Sequence, residues 1–199
     1  MPARPLIYLA KRNNLIRRII KLSSQYFANP RWEMIKKHCR GRKILDVGLG
    51  MGTLAKSMIR DGYLVTGLDV DNTSLYEDIQ PTIYNGLKMP FRNHSFDTAT
   101  IVCVLHHCVD QSVVLREAMR VANRVVVVED TYRNELERKL VGFRDSIENW
   151  EFYEHKYRTY EEWEKLCKHN GWKTKLVRSW SSWDFGFLYG RQILFTIDK

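Results

Sequence analysis

The strongest local signal in the chain is the stretch Lys43-Ile44-Leu45-Asp46-Val47-Gly48-Leu49-Gly50-Met51-Gly52-Thr53-Leu54-Ala55. An apolar run of strand-forming residues passes into three glycines at alternate positions and then into a helix-compatible segment. This order predicts a strand, a tight turn and the N-terminus of a helix. Glycines let a backbone approach a ligand closely, and a helix N-terminus favours a carboxylate or a phosphate. The stretch therefore predicts a nucleotide-like ligand at the turn.

Two kinds of cofactor fit such a turn. Gly50, Gly52 and Ala55 also satisfy the dinucleotide fingerprint of dehydrogenases. A second apolar segment ends in Asp69, where a carboxylate can accept hydrogen bonds from two ribose hydroxyls, as both kinds of cofactor require. A length of 199 residues with 44% hydrophobic content suits one domain with a sizeable core. That length leaves little room for a separate substrate domain, which weakens the dehydrogenase interpretation.

A third signal comes further along the chain. Residues 85–91 end in Met89-Pro90-Phe91, Ser95-Phe96-Asp97 follows, and a β-rich segment then runs into Leu105-His106-His107. With these motifs the chain resembles the class I S-adenosylmethionine (SAM) dependent methyltransferases, in particular the group with "LPF", "SFD" and "LHH" patterns. The resemblance implies an α/β fold with a Rossmann-like, seven-stranded, mostly parallel sheet, an antiparallel C-terminal hairpin and three α/β/α layers.

The same resemblance implies that SAM is the cofactor and that its methyl group moves by in-line displacement, leaving S-adenosyl-L-homocysteine (SAH). Asp46 is expected to attract the ammonium group of SAM, and its alternative role is to cap the glycine turn. Asn85 stands where family members often place an Asp that receives the adenine amino group, and Leu87 is expected to pack on adenine. The predicted cofactor-binding residues are Asp46, Gly48, Leu49, Gly50, Gly52, Asp69, Val70, Asn85, Gly86, Leu87 and Val104.

The acceptor side is predicted from two adjacent histidines. A strand over residues 98–105 delivers His106 and His107 to the carboxyl end of the sheet, where open α/β folds place their chemistry. A histidine there can act as a base or orient the acceptor; the alternative is a structural pair. Because neighbouring side chains on a strand face different ways, at most one, His107, is expected to meet the substrate. The next candidates for contacting the acceptor are Glu129, Asp130 and Tyr132, with solvated loop acids as the alternative.

Metal and disulfide chemistry are not expected. The two histidines have no nearby carboxylate at ligand spacing in the sequence, which argues against a metal site. The four cysteines show neither a CxxC pair nor zinc spacing, so reduced thiols are expected. No apolar run reaches the roughly 20 residues of a membrane helix, and no secretory signal is evident. These features favour a cytoplasmic protein, with the membrane surface as a further location.

Two domains of unequal size are predicted: a basic helical arm at 1–42 and a methyltransferase domain at 43–199. Residues 131–158 form an insertion that precedes a capping box at Thr159-Tyr160-Glu161-Glu162. Substrate lids are commonly placed here, and the mixture of aromatic and polar residues suits a pocket. The lid candidates are Asp145, Asn149 and His155. The C-terminal hairpin is predicted over 173–197, with Trp180, Trp183 and Phe185 lining the acceptor site or forming a satellite core.

The positive charge is concentrated in the arm. Residues 1–43 carry twelve basic residues and one acid, Glu33, whereas the remainder is slightly acidic. A helix over 15–22 gathers its apolar residues on one side and Arg17, Arg18 and Lys21 on the other, and Pro30 is predicted to break the helix that follows. By resemblance, Tyr26, Phe27 or Trp32 closes over the methionine end of the cofactor; simple packing is the alternative.

Three interpretations of this arm stay open: a cover over the cofactor with a solvated face, contact of residues 4–43 with an anionic membrane, or contact with RNA phosphates. An organelle transit peptide ranks lowest. Three functions correspond to the whole pattern: a methyltransferase of small or amphiphilic acceptors, an RNA methyltransferase, and a SAM-binding module without turnover.

Overall fold

A seven-stranded sheet forms the centre of the computed structural model, which describes residues 5–149, 155–184 and 187–199. The strand order is β3-β2-β1-β4-β5-β7-β6; β1 to β5 are parallel, and β7 is antiparallel to both of its neighbours. This confirms the predicted Rossmann-like sheet with its antiparallel C-terminal hairpin. The strands are β1 (Lys43–Val47), β2 (Leu64–Asp69), β3 (Pro81–Ile83), β4 (Thr98–Val102), β5 (Arg124–Asp130), β6 (Lys173–Asp184) and β7 (Leu188–Asp198).

Helices cover both faces of the sheet. They are α1 (Pro5–Arg12), α2 (Asn14–Ile35), α3 (Thr53–Arg60), α4 (Gln111–Val121), α5 (Glu135–Asn149) and α6 (Tyr160–His169). One core cluster holds Leu115 of α4 and Trp163 of α6, and another holds Trp32 of α2 and Met58 of α3. The two clusters share the central strands, whose four buried valines in β5 suit a strand covered on both faces. The result is a three-layer α/β/α arrangement.

The register brings four strand ends together. Val47 pairs with Leu68 and with Ile101, and Ile101 pairs with Val127. The strands β1, β2, β4 and β5 therefore end at nearly the same level, at what is called here the carboxyl edge of the sheet. Polar side chains that directly follow these strands are therefore close to one another in space.

The arm packs against the loops beside this edge. Ile7 and Ala10 of α1 are buried in a cluster with Leu49 and Leu75, and Lys11 Nζ donates to Asn72 O at 2.6 Å. In α2 only Ile16 and Ile20 pack on this cluster, whereas Leu15, Ile19 and Leu22 are more than half exposed. The apolar face predicted for this helix is therefore only partly buried, because only the residues on one side of a helix can pack against the domain.

Two expectations about α2 are wrong. The helix runs through Pro30 without a break, because Ala28, Trp32 and Ile35 are buried on either side and hold both halves against the domain. Trp32 does not face the cofactor region: its Nε1 donates to Asp61 Oδ2 at 2.9 Å and its ring meets Tyr63 edge-on. That contact lies before β2, at the end of the sheet opposite the carboxyl edge.

Elsewhere the structure corrects several boundaries. The segment between β2 and β3 contains no helix. The side chains of Asp69 and Asn72 accept backbone N–H groups of residues that follow them and hold this segment in turns. β4 ends at Val102, since Cys103 has a φ of +54° and the chain leaves the sheet there. The capping box of Thr159 and Glu162 is confirmed, as is the burial of Trp163. Among the described helices, none combines the length and apolarity needed to cross a bilayer.

Replacing Trp32 by Ala tests whether α2 is integral to the domain. Trp32 is fully buried, so the substitution is expected to lower the free energy of unfolding by about 3–5 kcal/mol, measured by urea denaturation. The matched control is Trp183→Ala, since Trp183 is 61% exposed, with an expected loss below about 1 kcal/mol. Equal losses in the two variants would show that α2 contributes little to the stability of the domain.

Candidate active site

The glycine turn after β1 is held against the residue that follows β4. Gly48 has a φ of +76°, and a Cβ at this position would lie 2.3 Å from Val104 Cγ2. Only glycine fits this close approach. At Gly50 a Cβ would meet nothing closer than Gly48 O at 3.9 Å, so the space above the turn is open. The turn therefore has the shape of a cradle for a ligand.

Asp69 closes the other side of this cradle. Its Oδ2 accepts the N–H of Gly50 at 2.9 Å and its Oδ1 accepts the N–H of Val70 at 2.7 Å. Capping of the glycine turn, the alternative role predicted for Asp46, thus belongs to Asp69. The half-buried carboxylate stands at the end of β2 beside the open space, in the place where a ribose would meet it. Its role in ribose binding stays a prediction.

Asp46 is a buried carboxyl under the turn. Its Oδ1 accepts the hydroxyl of Thr100 at 2.9 Å, and its side chain is almost fully buried. Burial raises the pKa of Asp46 to about 7; the Thr100 bond lowers the pKa only in part, and the nearby Asp69 raises it further. A cation bound nearby would favour the charged form of this carboxyl.

The loop after β3 holds the residues predicted to contact adenine. Asn85 Oδ1 accepts the N–H groups of Leu87 and Lys88, so this oxygen shapes its own turn and is already engaged, contrary to its predicted use for the adenine amino group. Leu87 is 60% exposed and therefore accessible at the rim. A Cβ on Gly86 would lie 3.6 Å from Val70 Cγ1, which places these two loops side by side. Leu49 points into the core, 4% exposed, where it packs with the arm.

The two histidines stand on a short 3-10 turn, Leu105–His107. Their rings are 4.1 Å apart between centroids, so the expectation that adjacent side chains on a strand or turn face different ways is wrong here. The side chain of His106 is 1% exposed and that of His107 is 16% exposed. Of the two, His107 is the one that a ligand can reach.

Glu129 positions this turn from inside β5. Its Oε1 accepts the N–H groups of Val104 at 2.8 Å and Leu105 at 2.6 Å, and its Oε2 lies 2.6 Å from His106 Nδ1. The carboxylate is fully buried, so Glu129 is neither a solvated loop acid nor a residue that contacts the acceptor. Glu129 therefore orients the turn that bears the two histidines.

Asp145 and His155, both predicted as lid residues, join the histidines. Asp145 Oδ1 lies 3.5 Å from His106 Nε2 and 4.0 Å from His107 Nε2, while Oδ2 lies 2.7 Å from His155 Nδ1. His107 Nδ1 is 3.2 Å from His155 Nε2. These four residues, His106, His107, Asp145 and His155, are called the histidine cluster below. The premise that no carboxylate lies near the histidines is therefore wrong.

The charges of the cluster act on one another. Burial alone would raise the pKa of Asp145, but the neighbouring His106, His107 and His155 outweigh it and hold that pKa well below its usual range. Burial alone would lower the pKa of His106, but the charge of Glu129 and the adjacent Asp145 raise it well above its usual value.

Asp130 and Tyr132 are the remaining candidates for contacting the acceptor. Asp130 is buried and both of its carboxylate oxygens lie 2.7 Å from Arg144 Nη2, with which it forms an ion pair; it also accepts a hydrogen bond from Gln192. Because Asp130 is paired inside the fold, it is not placed to contact an acceptor. Tyr132 is half-buried; burial raises its pKa most, and the charged groups acting on it are Glu162, Arg138, Glu135 and Arg158.

The sequence interpretation missed Arg144 and Tyr157. The Tyr157 hydroxyl donates to Asp145 Oδ2 at 3.0 Å, and Arg144 carries the ion pair to Asp130. A signal for Arg144 existed: with Val141 and Asp145 it falls on one face of α5, at the spacing of buried residues. Trp183 is exposed and Trp180 packs on the core, whereas Phe185 and the side chain of Asn149 lie outside the described residues.

Comparisons with known proteins agree with this geometry. The family model for a methyltransferase domain matches residues 45–128, from β1 to the middle of β5. The match spans fewer than half of the residues of the chain, and over that stretch the chain is similar to a methyltransferase domain. The first solved structure compared, YcgJ from Bacillus subtilis, superposes on the chain with a TM-score of 0.68 at 16% identity, covering 87% of this chain and 98% of that one.

Two further proteins that are similar to the chain carry names that describe chemistry. A ubiquinone biosynthesis O-methyltransferase from Citrobacter koseri is 33% identical over 87 residues, which are 38% of this chain and 36% of that protein. The chain thus spans well under half the length of this relative. A magnesium protoporphyrin IX methyltransferase from Synechocystis, solved with bound SAH, has a TM-score of 0.60 at 16% identity over 89% of this chain and 84% of that one.

Replacing Asp69 by Ala tests the cofactor cradle. The variant loses a charged acceptor for ribose hydroxyls, each worth about 1.5–3 kcal/mol, so SAH affinity is expected to fall at least roughly tenfold by isothermal titration calorimetry. Asp71→Ala serves as the control, because Asp71 is another half-buried acid of the same loop and its Oδ1 accepts the N–H of Asn72. Unchanged affinity in Asp69→Ala, with a folded protein by circular dichroism, would contradict this site.

The raised pKa of Asp46 predicts a pH dependence of cofactor binding. Below its pKa of about 7 the carboxyl is mostly neutral and attracts an ammonium weakly. SAH affinity is therefore expected to rise from about pH 5.5 to about pH 7.5, a range in which the ligand's own amine stays largely protonated. Asp46→Asn is expected to bind SAH with little change over this range. A pH profile that persists in Asp46→Asn would assign the dependence to another group.

Proposed function

We propose that the methyltransferase domain moves the methyl group of SAM to a small-molecule acceptor whose reacting atom lies beside the histidine cluster. The observation that carries this proposal is the contact between Gly48 and Val104. It joins the cofactor cradle to the turn that bears His106 and His107. One crevice at the carboxyl edge thus holds both halves of a transfer site.

The cradle fits the parts of SAM in order. Asp46 lies where it can balance the ammonium group, Asp69 stands at the place of the ribose, and the exposed Leu87 offers an apolar surface to adenine. When bound, SAM supplies an electrophilic methyl group on a sulfonium and leaves as a neutral thioether. Alignment of the acceptor with that methyl is then the main task of the protein, and well-oriented proximity can contribute about 7–11 kcal/mol.

The histidine cluster supplies the acceptor end. His107 is the partly exposed member, and its Nδ1 lies against His155, which in turn contacts Asp145. An acceptor hydroxyl or thiol that meets His107 can pass its proton into this connected set of groups. The predicted lid, 131–158, contributes Asp145 and His155 to this cluster, which supports its proposed role in enclosing such an acceptor.

The structure favours a small acceptor over RNA. Several basic residues of the arm already meet groups of the same chain: Arg17 lies 3.4 Å from Glu77, Lys21 stands over the ring of Tyr76, and Lys36 contacts Glu33. Fewer cations are then available for phosphates. The relatives named above carry small-molecule substrates in their names. Contact of residues 4–43 with RNA or a membrane stays a prediction.

Incubation of the protein with methyl-labelled SAM and separate pools of metabolites, lipids and RNA tests the proposal. Label is expected in a metabolite or lipid fraction. His107→Ala is expected to lower the rate of labelling at least about 100-fold if an acid-base group is lost, with little change in SAH affinity. The control is His169→Ala, since His169 is exposed on α6.

Two outcomes would contradict the proposal. Label that enters only RNA, and that disappears when Arg17, Arg18 and Lys21 are neutralised, would make the protein an RNA methyltransferase. Tight SAH binding without transfer to any pool would make it a SAM-binding module.

A further inference from the structure

The histidine cluster contains an unusual buried atom. His106 Nε2 is buried and, among the described residues, has no hydrogen-bond partner. Its nearest acid is Asp145 Oδ1 at 3.5 Å, which is too long for a good hydrogen bond. A buried polar atom without a partner is costly and calls for an explanation. Here it points towards the other atoms of the cluster.

In a form that could bind a metal ion, one pattern of protons is compatible with the hydrogen bonds described for these residues. Glu129 accepts from His106 Nδ1, which leaves the lone pair on Nε2. Asp145 accepts from His155 Nδ1, so His155 Nε2 accepts from His107 Nδ1, and the lone pair of His107 is again on Nε2. Tyr157 donates to Asp145 Oδ2, and the other oxygen, Oδ1, lies 3.5 Å from His106 Nε2 and 4.0 Å from His107 Nε2. Two imidazole lone pairs and one carboxylate oxygen converge.

We propose that His106, His107 and Asp145 bind a divalent transition-metal ion of the zinc class through His106 Nε2, His107 Nε2 and Asp145 Oδ1. One ligand atom from each residue lies within 4.8 Å of the other two. Zinc–ligand bonds of about 2.0–2.2 Å place tetrahedral ligands about 3.4 Å apart, close to the 3.5 Å between His106 Nε2 and Asp145 Oδ1. His107 Nε2 lies farther away, 4.0 Å from Asp145 Oδ1, so a tetrahedral arrangement requires a small rotation of the His107 side chain.

The partners of these ligands support this assignment. A metal-binding histidine usually donates its other ring N–H to a carboxylate, which orients the ring, and Glu129 does this for His106. Ligating carboxylates are likewise hydrogen-bonded, as Asp145 is by His155 and Tyr157. The buried carboxylates of Glu129 and Asp145 also supply negative charge beside the histidines, which a metal ion would balance in place of a proton on His106. Two imidazoles and a carboxylate suit zinc or ferrous iron better than magnesium or calcium.

Three protein ligands leave a fourth position for an acceptor. Catalytic zinc sites keep such a position open, and a hydroxyl or thiol bound there would lose its proton to solvent more easily. With the ion bound, His107 would hold the ion instead of accepting that proton. This refinement rests on the proposed function: it narrows the acceptor to a molecule that offers an oxygen or a sulfur to the ion. The metal site itself does not depend on methyl transfer, so the two can be tested separately.

Metal binding is measured with Zn²⁺ against a chromophoric chelator and with Co²⁺ by its visible absorption, on the full chain freed of metal by dialysis. The wild type is expected to bind one equivalent, with Co²⁺ bands typical of four or five N/O ligands. His107→Ala and Asp145→Asn are each expected to weaken Zn²⁺ binding by more than about 100-fold. Substitution of a residue that only hydrogen-bonds to a metal ligand typically weakens binding by roughly 10–100-fold. His169→Ala is the matched control and is expected to bind as the wild type does.

Folding and cofactor binding are checked in the same samples. SAH affinity and the melting temperature without metal are expected to change little in His107→Ala, because this ring is partly exposed. The proposal would be overturned if the wild type had no stoichiometric metal site, or if His107→Ala and Asp145→Asn bound Zn²⁺ as tightly as the wild type does. His106 would then hold a proton between two acids. Metal binding that persists while SAH fails to bind would refute the proposed function and leave this site standing.

Discussion

One buried carboxylate, Glu129, holds the two halves of the crevice in register. It lies inside β5, yet it accepts the backbone N–H groups of Val104 and Leu105 after β4 and faces His106 Nδ1. Val104 in turn touches the backbone of Gly48, so the glycine turn after β1 takes its position from the same carboxylate. The cofactor cradle and the histidine cluster therefore depend on one set of hydrogen bonds between parallel strands.

The carboxyl edge concentrates buried acids that a domain built for stability alone would avoid. Asp46, Glu129, Asp130 and Asp145 are each at most 3% exposed. Burial of a charge is costly unless the charge is paired and hydrogen-bonded. Asp130 has Arg144, and Glu129 has two backbone N–H groups, whereas Asp46 has the hydroxyl of Thr100 and a raised pKa. The least compensated of them, Asp46, lies where the ammonium group of SAM would add positive charge.

Local patterns were enough to predict the sheet and the cradle. Strand-forming runs, the spaced glycines and Asp69 after β2 all lie within short stretches, and the structure places them as their order implies. The histidine cluster was only partly predictable. The sequence indicated His106 and His107. Their proximity to Asp145, nearly 40 residues further along, depends on the packing of α5 on β7, and their proximity to His155 depends on the stretch before α6. The burial of Glu129 and Asp130 also required the tertiary structure, because acids at a strand end are equally compatible with a solvated loop.

The central claim is that a single crevice binds the cofactor and presents its reactive end to the histidine cluster. A crystal structure of the protein with SAH tests this claim most directly. The account predicts that the ribose hydroxyls lie on Asp69, that the amino-acid end lies over the glycine turn, and that the sulfur faces His107. An SAH molecule bound elsewhere, or one whose sulfur points away from Val104 and His107, would contradict it.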